Sequence, residues 1–198
     1  MSGDFCAACG SHAVSERVAA VKHVVGRREV VIDNDRHLHC SACGNVSYRG
    51  VMLDENQQAI AAKIRTEDGL LTLDELKAVR LKYGFTQAEM EKLLTIGPKT
   101  WGRWERGKVV QSNAADEMIR QLAKNPDVLR DLMKAHGVRS DTAEQMLNAI
   151  DQTLERKLAE RLRQRLPTLS AEVLADVARQ AVAEMRSVHQ ENDRQACA

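Results

Sequence analysis

Cys6-Ala-Ala-Cys9-Gly10 and Cys40-Ser-Ala-Cys43-Gly44 are two copies of one turn, separated by thirty residues. A Cys-x-x-Cys turn followed by glycine aims two sulfurs at one point. Two such turns supply the four soft ligands that tetrahedral Zn²⁺ prefers, with Zn–S near ~2.3 Å. Glycine after the second cysteine lets the backbone tighten so that its N–H groups face the sulfurs. The loop between the pairs is longer than the roughly 15–20 residues of the shortest zinc-ribbon pattern, so it has room for strands of its own. Cys6, Cys9, Cys40 and Cys43 are therefore the expected ligands of one structural zinc ion. A thiol-redox or disulfide use fits one Cys-x-x-Cys better than two matched copies. A catalytic zinc keeps a position open for water, and four thiolates close the shell. His12, His37 and His39 lie close by in sequence as substitute ligands, or else as ordinary strand and surface histidines.

Between the cysteine pairs the pattern is that of strands. Val18 to Val25 and Arg28 to Ile32 are rich in valine, and Gly26-Arg27 sits between them as a hairpin turn. A third short strand is expected to carry His37 into Cys40. Residues 1–50 thus read as a small sheet stapled by zinc. So small a unit buries little apolar surface alone, and metal binding would contribute much of its folding free energy.

The chain has 198 residues, a formal net charge of +1 and 3% aromatic residues. Near-neutral charge excludes a generic polyanion binder, so any nucleic-acid surface must be local. No run approaches the ~20 apolar residues that span a bilayer, and Met-Ser-Gly-Asp-Phe-Cys has neither a basic nor an apolar leader region. The expectation is a cytoplasmic protein with no membrane association. Residues 51–70, with the polar run Asp54 to Gln58, read as a linker holding a short helix over Ala59 to Ile64.

From Thr72 the period changes to helical. Thr72-Leu-Asp-Glu75 is a capping box, and Gly84 ends the helix it opens. Thr86-Gln-Ala-Glu89 repeats the box and opens a helix over 86–94. Thr95-Ile-Gly97 is a turn, and Pro98 suits the first turn of the next helix, Lys99 to Arg106, which Gly107 stops. Two short helices around a glycine turn, the second with exposed basic residues, describe a helix-turn-helix whose last helix enters the major groove. Trp101 and Trp104, three apart, are expected in the core. Lys99, Thr100 and Arg103 fall on the other side. Arginine can fork onto guanine O6 and N7, and lysine can reach the same edge or a phosphate. Gln87 follows a helix N-cap, where a phosphate can be held. Arg106 and Lys108 are phosphate neighbours or solvated charges, and Glu105 is expected in an internal bridge or cap.

The paired cysteine turns, followed by Thr86-Gln87 and Arg103-Trp104-Glu105-Arg106-Gly107, resemble the MqsA family of antitoxins, with its YgiT-type zinc module, over about residues 4–136. The resemblance implies a structural zinc domain able to hold a toxin. It also implies an Xre-like domain that dimerises and binds operator DNA. An asparagine and an arginine of the family's recognition helix read bases; the matching positions are Lys99 and Arg103. Lysine in place of asparagine shifts the preference from adenine toward guanine, so a different operator sequence is implied.

Helices continue past the motif. Asn113 to Lys124 has Asn113 as an N-cap candidate, and Pro126 to Met133 forms another helix. Met118, Leu122, Leu129 and Leu132 are expected in the core or else in a two-fold interface. Thr142 to Leu166 is a long amphipathic helix with Met146, Ile150, Leu154, Leu158 and Leu162 spaced by four. A second helix after Ser170 carries Leu174, Val177, Ala181, Met185 and Val188. The two form a helical hairpin that packs on itself, dimerises the chain or binds a partner. Cys197 reads as a free thiol in a polar tail.

The sequence therefore predicts an α+β protein: a small zinc-stapled β domain (1–50), a linker (51–70), an all-α helix-turn-helix domain (71–138), a C-terminal helical hairpin extension (139–190) and a flexible tail (191–198). It predicts a non-enzymatic, antitoxin-type repressor that binds its own operator, double-stranded DNA, as a homodimer, with a toxin protein as a further partner. The alternatives are a stand-alone zinc-containing helix-turn-helix regulator and, from another class, a zinc or thiol-redox enzyme. No nucleophile–base or carboxylate pair supports the last.

Overall fold

The computed structural model describes residues 5–196, with side chains through Arg186. Val188 and the whole expected tail at 191–198, Cys197 included, lie outside the described side chains. The chain divides into two compact units, residues 1–77 with 100–116 and residues 78–99 with 117–198.

The first unit begins with a three-stranded antiparallel sheet in the order β1-β2-β3. Strands β1 (Val14–Val25) and β2 (Arg28–Cys40) form a long hairpin, and β3 (Val46–Ser47) pairs with the end of β2. Gly26, at φ 62°, makes the two-residue turn expected from Gly26-Arg27. The two segments expected at 28–32 and 37–40 are one strand. Their separation in sequence reflects a bulge: Val21 pairs with Ile32 but Ala19 with Asp35, so Asp33 and Asn34 face Ala20 alone. An extra residue reverses the side-chain alternation. Val30 and Ile32 are buried before the bulge and Asp35 and His37 after it, all at 7% exposure or less.

Against β2 packs α1 (Gly50–Asp68), a single 19-residue helix. It replaces the linker and short helix expected over 51–70. The polar run 54–58 belongs mainly to its solvent side, and its Glu55, Gln57 and Gln58 lose little entropy in a helix. Met52, Asn56, Ala61 and Arg65 are its buried positions. Asn56 Nδ2 donates to the Arg36 carbonyl at 3.0 Å, and Lys63 Nζ donates to the Val31 carbonyl at 2.7 Å. Gly69, in the left-handed region at φ 63°, closes the helix.

Helix α2 (Leu73–Lys82) starts at the expected box: Glu75 N–H donates to Thr72 Oγ1, and Thr72 N–H donates to the Glu75 carboxylate. The box at Thr86 and Glu89 likewise opens α3 (Gln87–Leu93). Helix α4 (Thr100–Glu105) is shorter than expected, because Lys99 sits at φ 62° and lies outside it. Ser112, rather than Asn113, caps α5 (Asn113–Lys124), its hydroxyl accepting from the Ala115 N–H. Asn125 caps α6 (Pro126–His136).

In the second unit, Phe85, Met90, Leu93, Ile119, Leu122 and Leu129 are buried. Met118, expected in the core, is 43% exposed; Ile119, one position on, takes its place. Leu132 is half-buried beside the buried Met133. Helices α7 (Asp141–Arg165) and α8 (Ala171–Ala196) form the expected hairpin and pack on each other. The expected stripes are buried only in part. Leu174 of those stripes is buried and Met146, Leu158, Leu162 and Ala181 are half-buried, while Ile150, Leu154, Val177 and Met185 are exposed; the fully buried positions are Ala143, Leu147 and Asp151 on α7 and Leu174, Ala178 and Val182 on α8. Asp151 is held by Arg130 of α6, at 2.8 and 3.0 Å, and by Arg186 of α8.

The hairpin is continuous with the helices before it. Ser140 caps α7 and donates its hydroxyl to the Tyr83 carbonyl. Gly84, at φ 67°, lies under Thr142, where an added Cβ would fall 2.7 Å from Thr142 Oγ1. Gly84→Ala therefore combines left-handed strain with a collision, at a cost of about 1–3 kcal/mol. The urea midpoint of the variant against the parent protein measures it, and an unchanged midpoint would refute this packing.

Candidate metal centre and nucleic-acid interface

The two cysteine turns have the same local geometry. Gly10 N–H donates to the Cys6 carbonyl and Gly44 N–H to the Cys40 carbonyl, both at 2.8 Å. Gly10 and Gly44 have φ 72° and 74°, a region that favours glycine. The register Val14↔Cys40 brings the foot of β1 to the end of β2, so the turn preceding β1 meets the turn following β2. The Ser41 N–H donates to the Ala13 carbonyl and ties them together.

The four sulfurs all lie within 4.8 Å of one another. Cys6 Sγ is 3.6 Å from Cys43 Sγ, and Cys9 Sγ is 3.7 Å from Cys40 Sγ. A tetrahedron of ~2.3 Å metal–sulfur bonds has edges of about 3.8 Å, so the cage has the size for one ion. None of the four is in a disulfide. Cys6 and Cys40 are buried and Cys9 and Cys43 are exposed. The Cys9 N–H, hydrogen-bonded to the Cys6 sulfur, outweighs burial and lowers that thiol to about 7. Cys43 receives a similar bond from Asn45, but the sulfurs of Cys9, Cys6 and Cys40, together with burial, push it up to about 12. Four adjacent thiols cannot all shed their protons unaided, and a bound cation removes that penalty.

Among the described residues, the three nearby histidines are not part of the cage. His37 instead places Nδ1 2.9 Å from Asp35 Oδ1, and His23 places Nε2 2.6 Å from Asp35 Oδ2. Tyr48 donates its hydroxyl to the same carboxylate at 3.3 Å. Burial, then the Asp35 charge, raises the Tyr48 phenol to about 12. Asp35 is fully buried, and this network supplies the partners that a buried carboxylate requires.

Helix α4 presents two different faces. Trp101 and Trp104 are buried, with ring centroids 5.8 Å apart, as their spacing predicts. Trp101 Nε1–H donates to Glu105 Oε1 at 2.7 Å, which gives Glu105 its internal partner. Arg103 and, one residue beyond the helix, Arg106 are exposed, and Thr100 is half-buried. These three belong to the first compact unit; Gln87 and Lys99 belong to the second. Gln87 is half-buried at the first position of α3. Lys99 is exposed, and its backbone N–H donates to Glu91 Oε2 at 3.0 Å. Lys108 reaches Asp54 at 3.4 Å.

Sequence reasoning missed Arg65, Gln111 and Asp116, which are 5%, 2% and 4% exposed. Arg65 Nε–H donates to Gln111 Oε1, and Gln111 Nε2–H donates to Asp116 Oδ1 and to the Leu71 carbonyl. The sequence signal for Arg65 is its spacing from Ala61 on one helical face, which a linker over 51–70 would hide.

A family described as the antitoxin component of a bacterial toxin-antitoxin system, MqsA, matches residues 5–133. The chain belongs to the MqsA antitoxin family. No curated protein sequence matches it. The MqsA match takes in the cysteine cage, α1 and all helices through most of α6, and α7 and α8 lie beyond it. As in the sequence reading, this is an α+β member with a small sheet and four clustered cysteines followed by helices. No described helix is long and apolar enough to cross a membrane.

The cage predicts one divalent metal ion per purified chain. Cys40→Ser removes a buried ligand and is expected to release the ion and to unfold residues 5–50, leaving most helical circular dichroism intact. Elemental analysis beside far-ultraviolet spectra checks both; a metal-free protein with an intact sheet would overturn the assignment.

Proposed function

We propose that this MqsA-family chain is a non-enzymatic, cytoplasmic repressor that binds its own operator as a dimer and neutralises a cognate toxin. The reading assigns structural zinc to Cys6, Cys9, Cys40 and Cys43, because four thiolates in a closed shell match zinc's preference. It treats residues 1–50 as the zinc module, 71–138 as the helix-turn-helix module and 139–190 as an extension specific to this chain. One observation carries the DNA assignment. Helix α4 buries both tryptophans and leaves Arg103 and, just after it, Arg106 in solvent.

Roles follow from chemistry. Arg103 has the forked donor set that reads guanine. Arg106 and Thr100 are assigned to the flanking backbone. Gln87, at the start of α3, is assigned to a phosphate, where backbone N–H groups at a helix start assist. Lys99 stands where the family carries a base-reading asparagine, and its left-handed backbone gives its side chain a direction that a residue inside α4 would lack. Two copies reading a palindrome would meet half-sites about one helical turn apart.

Binding to DNA from upstream of the protein's own coding sequence, compared with random DNA, tests this reading. Arg103→Ala is expected to weaken the specific complex by about 1–3 kcal/mol and to relax selectivity at one base pair. Gln87→Ala is expected to weaken both complexes alike, as loss of a phosphate contact does. Unchanged operator affinity in the Arg103 variant would assign DNA reading to another surface.

A further inference from the structure

We infer that Arg65 is a positioning residue for the DNA-reading helix: from α1 it clamps the C-terminal end of α4 and the segment that follows, and so sets where Arg103 points. The inference rests on the DNA-reading role proposed for α4.

A helix of six residues does not hold itself together in water. Its last carbonyls are met by N–H groups just beyond it, Arg106 on Gly102, Lys108 on Arg103 and Gly107 on Trp104, in a turn that needs bracing from outside. Arg65 Nη2–H donates to one of them, the Trp104 carbonyl, at 3.4 Å, and to the Val109 carbonyl at 2.5 Å. Its Nε–H donates to Gln111 Oε1 at 3.2 Å. One planar side chain thus grips both sides of the turn at Gly107, through a donor geometry that lysine cannot reproduce. A cation at a helix C-terminus also complements the helix dipole.

The clamp is anchored at its other end. Arg65 is 5% exposed on a helix that is itself hydrogen-bonded to β2 through Asn56 and Lys63. Burial lowers the guanidinium's pKa from its usual value, although arginine remains charged. That desolvated charge donates to two backbone carbonyls and to Gln111, which relays it to Asp116. A lone structural role would be met by an apolar residue of similar size, with less desolvation. Arginine instead fixes three acceptors on the two sides of one turn, immediately behind the exposed arginines. Precise placement matters because base contacts are directional and lose their value when misaligned.

The test uses the full-length protein, metal-loaded, with Arg65→Met and Arg65→Lys. Affinity for the upstream DNA and for random DNA is measured across a salt series, beside metal content and thermal midpoint. The expected result is a loss of about ten- to a hundred-fold in the ratio of specific to random binding, the scale of one good base contact. Random-DNA affinity and its salt slope stay unchanged, because Arg65 neutralises no phosphate. Arg65→Lys keeps the charge and one donor centre, so it restores part of the ratio. Should Arg65→Met fail to fold, the lysine variant and Gln111→Leu, which removes the Nε acceptor, decide the matter by the same ratio. A wild-type ratio in the folded variants overturns the inference. A lower salt slope would instead make Arg65 a phosphate ligand and overturn it as well. Parent protein that does not distinguish upstream from random DNA defeats the DNA-reading assignment itself, a separate outcome.

Discussion

Convergence of four sulfurs is the constraint on which the amino-terminal part depends. The β1–β2 hairpin is long, yet β1 contributes no fully buried residue and β2 contributes only Val30 and Ile32 as large apolar ones. A two-stranded ribbon with so little apolar burial is marginal in water. Drawing the turn before β1 onto the turn after β2 closes a loop of thirty residues, whose entropy the unfolded chain otherwise keeps. A metal held by the four thiolates would supply that closure directly as folding free energy. The glycines after each cysteine pair matter for the same reason, since their positive φ lets both turns tighten around one point.

Polar groups, rather than apolar ones, fix much of the remaining geometry of this unit. Asp35, His37, Asn56, Arg65, Gln111 and Asp116 are all buried. Each is accounted for by hydrogen bonds: Asp35 by His23, His37 and Tyr48, Asn56 by the Arg36 backbone, and Arg65 by Gln111 and two carbonyls. Satisfied networks of this kind specify one arrangement, because leaving any member unpaired costs the desolvation penalty of that group. Helix α1 carries two of these residues and so joins the sheet to α4.

The helical unit solves a different problem. The family match ends at residue 133, but burial does not: Val138, Ala143 and Leu147 are each 4% exposed or less. Ser140 on the Tyr83 carbonyl, Thr142 above Gly84, and Arg130 on Asp151 carry the packing across that point. The extension therefore begins as part of a folded body, and only its outer faces, with Ile150, Leu154, Val173 and Val177, expose apolar side chains.

The sequence by itself determined what depends on neighbours a few residues away. Both cysteine turns, the Gly26 hairpin, the boxes at Thr72 and Thr86, the stops at Gly84 and Gly107 and the buried Trp101–Trp104 pair were all legible, because turns, caps and a three-residue helical spacing are short-range signals. Tertiary structure decided the rest. Whether residues 54–58 are loop or the outside of α1 depended on β2 lying beneath them. Whether Asp35 faces in or out depended on one extra residue in a strand pairing. Asp151 is buried on α7 while Ile150 and Leu154 beside it stay exposed, because Arg130 and Arg186, distant in sequence, supply the charge that makes a buried aspartate tolerable. Each of these choices is a contact between segments far apart in the chain, and local periodicity carries no information about such partners.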